Sequence, residues 1–177
     1  MKTVFVYGTL KTGQVNNGIL SRLADKGAAR KVGNATLRGS GNVLAYTLVA
    51  PLHGKGYPYL VPVNEEGYGR VSGMNGVDIS GEVWEVNAEG LNVLDRLEGF
   101  PVHYRRDVVN VETANGVLAC LVYVPSVECW EHILPHVKRG DFECVGGLWP
   151  KPSRVRPLVS SSLPRGGWSG EDTGRTF

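Results

Sequence analysis

Residues 2–14 read KTVFVYGTLKTGQ, and the fold turns on how this stretch divides. Lys2 to Tyr7 is a short β-branched and aromatic run closed by Gly8, the signature of a buried first strand. GTLKTGQ then makes a glycine-bearing turn. From Asn16 to Lys26 an asparagine cap precedes apolar Ile19, Leu20 and Leu23, and Gly27 stands at the stop, so a short helix covering the first strand is predicted. A strand that ends in glycine and turns before a helix gathers backbone N–H groups in one concavity, which suits an anion such as a carboxylate. Gly8 to Gly13 has the glycine spacing of a phosphate-cradling loop, but Gln14 and Val15 stand where a lysine and a magnesium-binding hydroxyl belong. Nucleotide hydrolysis is therefore disfavoured, and a small acid fits better. A turn that merely links two elements is the plain alternative.

Working outward, residues 28–50 alternate weakly, and Tyr57 to Val63 is apolar but interrupted by Pro58 and Pro62. These read as strands at a sheet edge or bent around a barrel corner, with a loop over 52–56 between them. Val77 to Val86 alternates with period two, placing Val77, Ile79, Gly81, Val83 and Glu85 on one face and Asp78, Ser80, Glu82, Trp84 and Val86 on the other. The clearest helix spans Ala88 to Leu97. Asn87 caps it, Leu91, Leu94 and Leu97 face the core, and Gly99 with Pro101 stops it. Strands at Tyr104 to Val111 and Val117 to Val124 flank Ala114-Asn115-Gly116, a hairpin signal. A helical stretch at Glu128 to His136 leads into the loop KRGDFECVGG over 138–147.

The whole chain has 177 residues, 42% hydrophobic and 20% charged, which suits one globular domain over 1–149 with an appendage at 150–177. Apolar runs such as Cys120 to Val124 fall far short of the ~20 residues of a bilayer-crossing helix, so no membrane association is expected. The first residues are too short an apolar run for a secretory signal, and a cytoplasmic protein is expected. Cys120, Cys129 and Cys144 lack both the pairing of a disulfide framework and the spacing of a zinc site, and read as free thiols. Neither metal nor cofactor is expected. The net charge of +2 conceals a +3 tail, in which 13 of 28 residues are Gly, Pro or Ser, and a body at −1. The body thus lacks the basic field of a nucleic-acid binder, and the tail reads as loosely docked.

Glu98, in the last turn of the second helix, meets the negative end of the helix dipole. Against apolar neighbours its pKa would rise, making it a proton shuttle, with a solvated surface glutamate as the alternative. Asp95, three residues earlier, is expected to face water. Tyr104 and Arg106 should share one face of their strand, with Tyr123 near them on the hairpin partner. His132 and His136 lack the glutamate of a metalloprotease motif and read as a surface pair. Arg139-Gly140-Asp141 and Asn34-Ala35-Thr36, an adhesion tripeptide and a glycosylation acceptor by pattern, read as coincidences.

Taken in order, Val4-Phe5-Val6-Tyr7-Gly8-Thr9-Leu10-Lys11, Gly81-Glu82-Val83-Trp84 and Leu94 to Arg106 (LDRLEGFPVHYRR) resemble the gamma-glutamylcyclotransferase-like superfamily, which includes the AIG2-like proteins; Gly140-Asp141-Phe142 is close to its G-D-W ending. The resemblance implies an α+β fold, a small mixed β-barrel flanked by short helices. It implies a reaction in which the substrate's own α-amino group attacks its γ-glutamyl carbonyl, releasing an amine and 5-oxoproline. It places Glu98 on the general acid/base and Tyr7, Gly8, Thr9 and Leu10 on the turn that holds the glutamyl α-carboxylate. Tyr104 and Tyr123 fall on pocket-lining tyrosines, and no cofactor or metal is implied. The expected partner is a small gamma-glutamyl amine or amino acid. His53, Lys55, Tyr57 and Tyr59, in and beside the 50–58 loop, are the candidates to select the leaving amine. The alternatives are a non-catalytic protein that sequesters a small metabolite in the same cavity and a basic tail that recruits a macromolecular partner.

Overall fold

The computed structural model describes residues 1–52, 56–69 and 74–150. Five strands close a barrel: β1 (Lys2–Val6), β2 (Ala29–Leu37), β5 (Ile79–Val86), β6 (Tyr104–Thr113) and β7 (Gly116–Pro125), in the order β1-β5-β2-β6-β7. The barrel is mixed because β1 meets β7 in parallel, Val4 opposite Leu121, while every other pair is antiparallel. β3 (Ala45–Pro51), β4 (Tyr59–Val63) and β8 (Phe142–Cys144) form a separate antiparallel sheet in the order β4-β3-β8. The helices are α1 (Asn17–Asp25), α2 (Ala88–Glu98) and α3 (Val127–Arg139). Among the described residues, no helix is long and apolar enough to cross a membrane.

Three apolar layers explain the pattern of side chains. Phe5, Leu37, Ile79, Val83, Val111 and Val122 fill the barrel, and Leu48 and Leu60 of the small sheet close it. One residue out of phase, Val4, Val6, Trp84 and Val86 point outward under Leu20 and Leu23 of α1 and Leu94 of α2. Behind the small sheet, Trp130, Ile133 and Val137 of α3 pack on Val49, Val61 and Tyr68. The alternation of β5 is therefore present but buried on both faces, since helices cover the barrel's outside. Its inner face has no Cβ at position 81, where one would lie 2.5 Å from the Phe5 ring and from the Val6 carbonyl oxygen. Glycine is what lets β1 approach there.

Several expectations about the elements hold and others are corrected. Asn87 caps α2 by accepting from the Gly90 N–H at 2.9 Å, and Gly99 closes it with φ 63°. The edge reading of Tyr57–Val63 holds for β4, where Pro62 is accommodated on an outer strand. Asn16, by contrast, does not cap α1; its side-chain amide donates to Thr9 Oγ1 at 3.0 Å. The loop read over 138–147 contains β8, which pairs with β3 through Val49, Ala50 and Pro51. Three residues give too short a period for alternation to register, so long-range pairing decides this strand. Leu97, read as a core leucine, is 42% exposed, because the last turn of α2 overhangs a cavity instead of the barrel.

His53, Lys55 and the basic tail from Lys151 onward lie outside the described residues. His132 and His136 are exposed, the latter close to Asp141 at 3.1 Å. In the tripeptide 139–141, Arg139 and Asp141 pair with each other at 3.3 Å.

Candidate active site

β1 ends at Val6, and Tyr7 carries the chain into a turn closed by the Lys11 N–H donating to the Gly8 carbonyl at 3.2 Å. The bond that closes such a turn uses neither of its two central amides. Those of Thr9 and Leu10 donate to no protein group among the described residues. Asparagines hold the turn from the helix side: Asn16 bonds Thr9 Oγ1, and the Asn17 amide donates to the Leu10 carbonyl at 2.9 Å. The result is a fixed loop with spare donors, the arrangement an anion requires.

A cavity of ≈ 230 Å³ opens on this turn. Tyr7, Gly8, Thr9 and Leu10 line it from one side, Glu98 and Leu97 from α2, and Tyr104 and Tyr123 from the hairpin, so all seven candidate site residues meet in one hollow. Tyr57 and Pro58 complete the mouth. Tyr59 sits behind them, its ring nearly parallel to that of Tyr104 at 6.3 Å between centroids and 5.3 Å from that of Tyr57.

Burial pushes the Glu98 carboxyl up from 4.5 to about 7. Among the described residues no hydrogen-bond donor reaches it, so nothing offsets the lost hydration of its charged form. The surrounding phenols are also shifted: Tyr7, Tyr104 and Tyr123 are driven well above the usual tyrosine range by burial, each further disfavoured by the charge of Glu98. They are neutral hydroxyls at any working pH. Two of them are anchored, for Tyr7 Oη donates to the Tyr123 carbonyl at 2.9 Å and Tyr123 Oη donates to Asp95 Oδ1 at 2.7 Å.

Asp95 is therefore corrected: it does not face water. Its carboxylate accepts from Tyr123 and lies 3.7 Å from Arg106 Nη1, with its side chain 20% exposed. The expected shared face of Tyr104 and Arg106 is what brings this about. Arg106 stands opposite Tyr123 in the β6–β7 ladder and its guanidinium covers the Phe100 ring at 4.1 Å. The last turn of α2, with Glu98, is thus tied to the barrel wall by Asp95.

Two contributors escaped the sequence reading. Asn16 lines the cavity, but an asparagine before a helix reads as a cap. Glu82, placed by alternation on the outward face of β5, is only 7% exposed. Its carboxylate accepts from the Thr12 N–H (3.1 Å to each oxygen), the Thr12 hydroxyl (3.0 Å) and the Trp84 indole (3.1 Å), with Lys31 Nζ at 2.8 Å. Thr12 is 70 residues away, beyond any local pattern. Burial alone would raise this carboxyl, but Lys31, Thr12 and Trp84 outweigh it and hold the group below the usual glutamate value. No cluster of three or more His, Cys, Asp or Glu suited to a metal occurs among the described residues.

The barrel and this site define a class. The chain belongs to the family described as Gamma-glutamyl cyclotransferase, AIG2-like, whose profile matches residues 4–144, and it is accordingly a cyclotransferase-type enzyme. Among its relatives, the gamma-glutamylaminecyclotransferase of Bos taurus is 35% identical over 86% of this chain and 83% of its own length. That of Homo sapiens is 37% identical over 88% of this chain and the whole of its own. The crystal structure of an AIG2-like protein from Mus musculus superposes with a TM-score of 0.53 at 25% identity, covering 72% of this chain and 78% of that one.

Proposed function

We propose that the protein cyclises a gamma-glutamyl amine or amino acid to 5-oxoproline, with Glu98 as the general acid/base and the Gly8–Leu10 turn as the seat of the glutamyl α-carboxylate. The observation that carries this is the meeting, in one cavity, of a turn with free amides and a half-buried carboxyl raised to about 7. The substrate ammonium has a pKa of about 8. An ordinary glutamate would be a poor base for it, whereas one near 7 accepts the proton at small cost. The freed amine attacks the γ-carbonyl and, once bonded, gives up a second proton. Glu98 passes both protons in turn to the leaving nitrogen as its bond to the γ-carbon breaks, so the amine departs as an ammonium and the carboxylate is restored. Atoms and charge balance without a cofactor.

Holding the carboxylate on the turn folds the glutamyl unit back upon its own amine, which supplies the proximity that ring closure needs. Tyr104 and Tyr123, both neutral, wall the glutamyl unit and keep water from Glu98. Tyr57 and Pro58 at the mouth stand where the leaving amine would emerge. Residues 1–149 make the catalytic domain and 150–177 an appendage. Three free thiols support a reducing, cytoplasmic setting.

The test is incubation with a panel of gamma-glutamyl amines and amino acids, following release of 5-oxoproline. Turnover in the wild type that falls steeply in Glu98→Gln is expected. Undiminished turnover in that variant overturns the role given to Glu98, and ligand recovered intact from the wild type would identify a sequestering protein.

A further inference from the structure

The turn at 8–13 has two sides, and only one faces the cavity. Gly8, Thr9 and Leu10 line that hollow, while Lys11, Thr12 and Gln14 line a separate, more open groove together with Glu82. Nothing in the proposed chemistry uses Glu82, yet it is buried and saturated: every strong contact it makes runs to Thr12, Lys31 or Trp84. Trp84 and Lys31 belong to paired barrel strands, Lys31 standing opposite Trp84. Thr12 alone belongs to the turn, and there Glu82 engages both the backbone N–H and the hydroxyl. The Thr12 hydroxyl also accepts from Lys31 Nζ at 2.9 Å. A charged acceptor bonded to a backbone amide fixes that peptide's orientation more firmly than a neutral one would.

We infer that Glu82 is a positioning residue that clamps the carboxylate-binding turn from behind, fixing the direction of the Thr9 and Leu10 amides. The inference rests on the function proposed above and assigns its substrate affinity partly to a side chain outside the cavity. The β-turn ends at Lys11, directly before Thr12, so a hold on Thr12 steadies its far end. Asn16 and Asn17 hold the helix side and Glu82 the barrel side.

Two probes separate positioning from general upkeep of the fold. 5-Oxoproline carries the carboxylate that the turn would bind, and 2-pyrrolidinone is the same ring without it. Glu82→Gln keeps the shape but loses the charge and half the acceptor capacity. In this variant 5-oxoproline binding, followed by titration calorimetry or NMR, is expected to weaken by about tenfold while that of 2-pyrrolidinone stays within about twofold. With substrate, KM should rise by about tenfold and kcat stay within about threefold, the pattern of lost ground-state binding. The acid limb of the kcat profile, set by Glu98, should not move.

Lys31→Met, a milder change at the partner of Glu82, should act in the same direction by about threefold and serves if Glu82→Gln does not fold. Equal weakening of both probes, or no change in either variant, overturns the inference while leaving wild-type turnover intact. A wild type that releases no 5-oxoproline and binds neither probe overturns the proposed function, and this inference with it.

Discussion

Glu98 and Glu82 are two carboxylates flanking a single turn, and their surroundings push them in opposite directions. Glu98 is half-buried with no donor among the described residues and rises to about 7. Glu82 is more deeply buried but has donors from Thr12, Lys31 and Trp84, and it is held below its ordinary value. Burial therefore does not by itself make a proton shuttle. What matters is whether the charged form finds partners to replace water. A carboxylate with every lone pair engaged is a fixed strut, and one left bare beside a cavity is a base.

The same isosteric change should break the two sites differently. Glu98→Gln is expected to lower kcat by about 10³-fold with KM little changed, since the proton carrier is gone but the carboxylate seat remains. Its stability should move the other way. A carboxyl whose folded pKa exceeds its unfolded value costs stability as pH rises from about 4.5 to about 7. Removing it should stabilise the protein by about 1–3 kcal/mol at pH 8 and by nothing at pH 4, read by denaturant unfolding. Glu82→Gln should instead cost about 2 kcal/mol at neutral pH, because Lys31 and the Thr12 amide lose a charged partner. That penalty belongs to a group with a lowered pKa. It is fully present above the unfolded value and should be lost as pH falls through the lowered folded one. If both variants shift stability in the same direction at pH 8, the contrast between the two carboxylates fails.

The pH dependence of kcat/KM sharpens the point. The productive pair is an ionised Glu98 and a protonated substrate amine, so the profile should be a narrow bell. Its acid limb is expected near 7, from Glu98, and its alkaline limb near 8, from the substrate amine. A profile flat from pH 5 to 7 would mean that Glu98 titrates like an ordinary surface acid.

How much of this was legible beforehand follows the range of the interactions. β1, α2 and the β6–β7 hairpin carry local signals, a β-branched and aromatic run closed by Gly8, a capped leucine repeat and Asn115-Gly116, and all three form where expected. The front of the site was legible for the same reason, since Gly8 to Leu10 and Glu98 each sit at the end of a recognisable element. The back was not. Asp95 reads as a solvated helix residue until β6 and β7 bring Arg106 and Tyr123 against it. Glu82 reads as an outward polar residue of an alternating strand until a turn 70 residues earlier is laid over it. β8 is three residues long and exists because β3 offers an edge. Pairings across the chain leave no trace in a local window.

Asp95 offers a smaller test of the architecture around Glu98. Asp95→Asn retains an acceptor for Tyr123 but removes the charge that faces Arg106. We expect a loss of about 1 kcal/mol, discounted for the partial exposure of the pair. The fall in kcat should be a few-fold, since the last turn of α2 is less firmly held while Glu98 itself is untouched. A drop as large as that of Glu98→Gln would instead make Asp95 a participant in the proton transfer.

The finest test concerns what keeps Glu98 dry. Leu97 is 42% exposed and lines the same cavity as Glu98, so its side chain contributes little to the core and stands as the test of whether the mouth shields the carboxyl. Leu97→Ala should leave stability within about 0.5 kcal/mol, as for other surface truncations. It should nevertheless let solvent approach Glu98, lowering the pKa from about 7. The acid limb of kcat/KM is then expected to move toward lower pH by about half a unit, a change in the pH at which the enzyme is half active more than in its maximal rate. Leu97→Met, which restores the apolar cover, should return the limb to its place. If the limb stays fixed in Leu97→Ala, the raised pKa comes from the deeper walls formed by Tyr7 and Tyr104, and the mouth of the cavity plays no part in tuning the base.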